Sequence, residues 1–197
     1  MTEQAALRHL GWIGIIRLGL VQTSIGAIVV MTTSTLNRIM VVELALPAMV
    51  PGALVALHYA MQALRPRMGH GSDLGGRRTP WIIGGVIVLA LGGVIASAGT
   101  ALMAASFYAG LLLAIVGFIA IGAGVSAAGT TLLVLLTKRT TEAHRPAAAT
   151  IVWLMMIAGF ALTGSMAGRM LDPFSPLRLV GVTALVCLIA VVVTVFA

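Results

Sequence analysis

The chain has 197 residues, 60% of them hydrophobic and 9% charged, with a mean hydropathy of +1.11 and a formal net charge of +7. A soluble domain carries about 25% charged residues, so this chain cannot clothe itself in a polar surface and lipid must be its solvent. In a soluble protein such a positive balance would point to nucleic acid; in a lipid-soluble one it is what an excess of Lys and Arg on the cytoplasmic side produces, so nucleic acid is not an expected partner. The single cysteine, Cys187, excludes an intrachain disulfide and a cysteine-cluster metal site, and reads as a packed thiol.

A helix needs about 20 mainly apolar residues to cross a hydrocarbon core about 30 Å thick. Six stretches qualify: 13–36, 44–64, 81–103, 107–136, 147–168 and 177–197. They are continuous and too long for barrel strands, so the expected fold is an all-α integral membrane domain of six helices over residues 1–197. The first stretch follows Glu3, Arg8 and His9, is too long for a signal peptide and lacks a clear cleavage site, so it is expected to stay as a membrane helix.

At the first corner, Arg38 and Glu43 are close enough in sequence to pair around a turn, and Asn37 can hydrogen-bond freed carbonyls. An unpaired charge below the headgroups would be costly. Pro47 and Pro51 stand early in the second stretch and predict a bend there. Between the second and third stretches runs Gly69-His70-Gly71-Ser72-Asp73-Leu74-Gly75-Gly76-Arg77-Arg78-Thr79-Pro80, the densest polar cluster in the chain. Its glycines predict tight turns, Asp73 can pair with an arginine or a helix N-terminus, and Thr79-Pro80 suits the start of a helix.

Gly85, Gly92 and Gly99 recur every seven residues on the third stretch, and Gly110, Gly117 and Gly124 on the fourth. Seven residues is close to two turns, so each set shares a face. That face is either a tight helix–helix seam or a glycine-lined slot for a flat ligand. The chain ends at Val195-Phe196-Ala197 inside an apolar run, so further sequence, a second half, is expected beyond it.

With six spans and a cytoplasmic N-terminus, nine basic residues lie inside: Arg8, Arg17, Arg65, Arg67, Arg77, Arg78, Lys138, Arg139 and Arg145. Three lie outside: Arg38, Arg169 and Arg178. The bias predicts that both termini face the cytoplasm.

Two resemblances now have their residues. Gly69, Asp73, Gly76, Arg77 and Arg78 resemble the loop joining the second and third helices of major facilitator transporters, where it helps to latch two six-helix halves; Leu74 replaces the usual arginine. The string Thr35-Leu36-Asn37-Arg38-Ile39-Met40-Val41-Val42-Glu43-Leu44, followed by Pro47-Ala48 and later by Arg77-Arg78-Thr79-Pro80-Trp81, is similar to the PucC/LhaA, or bacteriochlorophyll delivery, family. The match is clearest over residues 17–81. It implies the N-terminal half of a major facilitator fold in a bacterial cytoplasmic or photosynthetic intracytoplasmic membrane. It also implies a role in building light-harvesting complexes, with bacteriochlorophyll as cofactor and antenna or reaction-centre proteins as partners beside lipid.

Within that frame Asn37, Arg38 and Glu43 are a structural corner or a contact for pigment or partner. His58, with Tyr59 beside it, is either an axial ligand to a chlorin magnesium or a helix–helix hydrogen-bond partner. His9, His70 and His144 are too scattered for a metal site. Apart from His58 the membrane interior offers little to relay protons, there is no phosphate-binding Gly-x-x-x-x-Gly-Lys string, and no nucleophile has a base at useful spacing. An enzyme is not expected. The leading reading is an antenna assembly factor that handles bacteriochlorophyll; its rivals are a small-molecule secondary transporter and a structural antenna subunit without pigment.

Overall fold

The structure, a computed structural model, describes residues 10–74 and 77–197, without the side chains of residues 72–74. Most of the described residues are helical and none lies in a strand, and the chain is an all-α integral membrane protein. Among the described residues, five helices are long and apolar enough to cross a bilayer.

Helix α1 spans Trp12–Glu43. It does not stop at residue 36, as expected, but continues through the Asn37–Glu43 string. Two of its stretches, Met31–Thr35 and Ile39–Glu43, are π-helical. Within the first of these, the hydroxyls of Thr32 and Thr33 donate back to the carbonyls of Ile28 and Val29. Such back-bonding competes with the amide ladder and bends or widens a helix. The wider turn lets the helix carry polar residues without breaking. It ends where Leu44 N–H donates to Ile39 O, Leu46 N–H reaches back to Met40 O, and Ala45 adopts a φ of 50°.

Helix α2, Met49–Met61, passes through the 3₁₀ turn Gln62–Leu64 into α3, Arg65–Leu74. The thirteen residues of α2 rise only about 20 Å before the polar Gln62, Arg65 and Arg67 begin, and this element is not among the five spanning helices. Two expectations change here. Pro47 precedes α2 and Pro51 sits in its first turn, so they start the helix rather than bend it. The stretch from Gly69 to Leu74 is helix, not loop.

The remaining helices fall close to the expected stretches: α4 at Thr79–Met103, α5 at Phe107–Arg139, α6 at Arg145–Met170 and α7 at Pro176–Phe196. Helices α4 and α5 form the antiparallel centre, with Leu89, Phe118, Ile121 and Leu132 fully buried. Helix α2 leans on α5, α7 packs on α4, and α6 lies along α1. Only 17% of the apolar window of α6 is buried, so most of that helix faces outward.

One end of the bundle is basic. Leu10 N–H donates to Arg139 O at 2.7 Å, the Trp12 and His144 rings meet edge to face at 5.5 Å, and Arg17 Nη2 donates to Phe196 O at 3.4 Å. These contacts gather the start of α1, the end of α5, the start of α6 and the end of α7. Positive charge at that end is what the cytoplasmic side favours.

Candidate functional site

The two glycine stripes face each other. A Cβ on Gly85 would lie 2.6 Å from Ala128 N, one on Gly92 2.9 Å from Gly117 O, and one on Gly99 2.8 Å from Gly110 O. Gly117 is equally confined, 2.5 Å from Ala96 N. The stripes meet in a fixed antiparallel register, backbone against backbone, and this is the tight seam rather than an open slot. Missing side chains permit this approach, and packing then supplies the association that lipid does not. A smaller open groove remains beside the seam, about 370 Å³, where Trp81, Gly84, Gly85, Ala123 and Gly124 form a flat wall with Met68.

His58 is 1% exposed on α2. Its Nε2 lies 3.1 Å from Gln62 Nε2, its ring meets Tyr59 edge to face at 4.9 Å, and Arg65 donates to Gln62 Oε1. With Oε1 taken by Arg65, the Gln62 amide donates, so His58 Nε2 accepts and Nδ1 carries the proton. Nδ1 is buried with no hydrogen-bond partner among the described residues. The helix behind is fixed by Gly122, whose Cβ would fall 2.7 Å from His58 O. The result is one polar line, His58 to Gln62 to Arg65, running from inside the bundle to the basic end. Gln62 was not singled out from sequence, although its position four residues after His58 places it on the same face.

At the opposite end, Arg38 Nη2 lies 3.9 Å from Glu43 Oε1. The expected pair forms, but along a widened helical turn and not around a loop. Asn37 is half-buried in the same helix and its side chain makes no hydrogen bond to a described residue.

The Gly69–Pro80 segment divides. Gly69 lies in α3 against Thr130, where a Cβ would sit 3.4 Å from Cγ2. Gly71 faces Trp81, whose Cη2 would be 2.9 Å from a Cβ. Gly76 and the side chain of Asp73 lie outside the described residues. Arg77 is exposed, Arg78 immediately precedes α4, and with Arg139 they line an open groove of about 840 Å³ that also touches Ile83, Gly84 and Ile87. Arg65, His70 and Lys138 line a second groove of about 720 Å³ at this end. The grouping of Arg139 with Arg77 and Arg78 comes from α4 and α5 packing side by side, and no local pattern announces it.

A narrow apolar groove of about 280 Å³ runs between α1, α6 and α7, walled by Ala27, Leu162, Met166, Leu185 and Ile189 with the hydroxyl-bearing Thr163. Beside it α1 and α6 are held close: Thr23 Oγ1 donates to Met155 O at 2.9 Å, and a Cβ on Gly159 would lie 2.8 Å from Thr23 O. Gln22 is buried here too, with Nε2 3.1 Å from Met156 Sδ and no partner for Oε1.

The family described as PUCC protein matches residues 35–197, so the match begins at the first residue of the Thr35–Leu44 string. A bacteriochlorophyll synthase 44.5 kDa chain of Rhodobacter capsulatus is 54% identical over 188 residues, covering 95% of this chain and 44% of the relative. A protein PucC of Rhodovulum sulfidophilum is 29% identical over 191 residues, 91% of this chain and 42% of the relative. A protein PucC of Rhodobacter capsulatus is 29% identical over 180 residues, 85% of this chain and 39% of the relative. The chain thus spans less than half the length of these curated relatives. No solved structure matches it.

Proposed function

The chain belongs to the PUCC protein family, and from that premise we propose that it is part of a factor that handles bacteriochlorophyll during assembly of light-harvesting complexes. It is a multi-pass bacterial membrane protein with relatives in photosynthetic bacteria, which agrees with the reading. The observation that carries the proposal is 54% identity across nearly the whole chain to a relative named for bacteriochlorophyll.

We place the pigment against lipid-facing apolar surface, with the groove between α1, α6 and α7 taking its apolar part. Dispersion contacts along Leu162, Met166, Leu185 and Ile189 would hold it, each small and collectively large. Axial ligation by His58 is a separate proposal with a structural requirement. Gln62 would have to release Nε2, and the surrounding helices would have to open, because the ring is 1% exposed. The partners in this reading are antenna or reaction-centre light-harvesting proteins. The orientation that goes with it has the basic end in the cytoplasm.

The name of that relative also favours a second reading, in which the chain belongs to a pigment-synthesising assembly. Purification in mild detergent from a bacteriochlorophyll-making cell separates the two. The assembly reading expects the pigment's absorption bands and antenna proteins in the purified fraction. Protein without pigment or antenna partners would sink it. Loss of pigment synthesis in membranes lacking the chain, with antenna assembly restored by added pigment, would favour the second reading.

A further inference from the structure

The groove at the basic end of α4 and α5 is mixed in character. Arg77, Arg78 and Arg139 give its lining positive charge, and Ile83, Ile87 and Leu135 give it apolar surface. Arg77 is exposed, and Arg78 and Arg139 each hold a further contact besides lining the groove. Gly84 lines it too, and an added Cβ there would meet nothing within 4 Å. No side chain caps the first turn of α4, so the positive end of that helix dipole opens toward the arginines. Guanidinium groups bind phosphate oxygens in paired hydrogen bonds, and an adjoining apolar trough at membrane depth fits a hydrocarbon chain. We propose that this groove is a binding site for one anionic phospholipid of the surrounding bilayer, with its phosphate on Arg77, Arg78 and Arg139 and an acyl chain along Ile83, Gly84 and Ile87.

Diffuse attraction of anionic lipid to any positive surface is worth about 1 kcal/mol per basic residue and needs no groove. The second groove, with Arg65 and Lys138 at the same end, gives the control. The test is native mass spectrometry of the purified chain with phosphatidylglycerol or phosphatidylcholine, using variants that keep wild-type helicity and elution. One phosphatidylglycerol per chain is expected to stay bound where phosphatidylcholine does not. Arg77→Gln with Arg139→Gln is expected to weaken its retention at least about tenfold, since hydrogen bonds to charged groups are the strong ones. Arg65→Gln with Lys138→Gln removes the same charge and is expected to leave it. Gly84→Leu fills the trough with every charge in place and is also expected to release the lipid. Equal loss in the two charge variants would reduce the site to diffuse attraction. Full retention by Gly84→Leu would remove the acyl trough. Displacement by millimolar inorganic phosphate would turn it into a free-phosphate site, and each of these results overturns the proposal.

Discussion

Gly124 and Gly85 sit so close that a Cβ on Gly124 would fall 2.6 Å from the carbonyl oxygen of Gly85. The same atom would lie 2.5 Å from Leu89 N. Both neighbours are backbone, so neither can swing aside. Gly124→Ala is therefore expected to push α4 and α5 apart and cost about 1–3 kcal/mol, the usual range for overpacking. Gly129 lies on the same helix with nothing within 4 Å of its would-be Cβ. Gly129→Ala should be neutral, or stabilising by up to about 1 kcal/mol through helix propensity. Thermal unfolding of the two variants in one detergent checks the contrast, and equal effects would mean that the seam does not hold the bundle.

The Gln62 side chain is the partner that makes a buried imidazole tolerable. Gln62→Leu leaves His58 Nε2 without its donor, beside an Nδ1–H that already lacks an acceptor among the described residues. A loss of about 1–3 kcal/mol is expected, the cost of an unsatisfied buried polar group. His58→Leu removes both ring nitrogens at once and should cost less than Gln62→Leu. The order of the two melting temperatures is the measurement. Bound pigment in the His58→Leu protein is a second one: undiminished absorption would dismiss axial ligation while leaving the assembly proposal standing.

How much of this could be seen beforehand differs along the chain. Helices α4 to α7 were legible because each is one uninterrupted apolar run bounded by proline, serine or charge. The two glycine faces were legible too, since a seven-residue repeat fixes a face, but their meeting in register was not. The first corner was not. Asn37 and Arg38 look like an exit from the membrane, yet Thr32 and Thr33 widen the turn and the helix absorbs them. The segment from Gly69 to Leu74 has the glycine and charge density of a loop, but Gly69 and Gly71 serve a helix that packs against Thr130 and Trp81. Arg139 joins Arg77 and Arg78 only through the pairing of two helices, which no local pattern records.

Ala45 holds a φ of 50° without being glycine. The left-handed conformation costs an L-residue roughly 1–2 kcal/mol. Glycine removes that strain and adds roughly 0.5–1 kcal/mol of backbone entropy to the cost of folding. Ala45→Gly should therefore leave stability unchanged or raise it by up to about 1 kcal/mol. Ala45→Val, branched at Cβ, should lower it. If valine is tolerated as well as glycine in thermal unfolding, Ala45 does not set the corner between α1 and α2.

The Arg38–Glu43 pair separates a corner from a docking contact. At 3.9 Å, with Arg38 largely exposed, it belongs to the class of ion pairs worth up to about 1 kcal/mol. Arg38→Gln should hardly move the unfolding midpoint. If the string is only a corner, antenna proteins should co-purify with this variant as with the wild type. If it touches a partner, their recovery should fall while stability holds.

Thr163 faces the apolar groove between α1, α6 and α7. The groove holds about 280 Å³, so one large side chain can fill much of it. Thr163→Trp adds apolar volume on the groove side of α6 and leaves the Thr23–Met155 hydrogen bond in place on its other contact. The folded protein should melt at an unchanged or higher temperature. Pigment recovered per chain should drop if the groove receives it, and the drop should not depend on His58. Unchanged pigment in Thr163→Trp, with a large loss in His58→Leu, would move the pigment from this groove to the interior of the bundle. That result would require α2 to part from α5, because Gly122 presses its backbone against His58 O and Met61 with no space between.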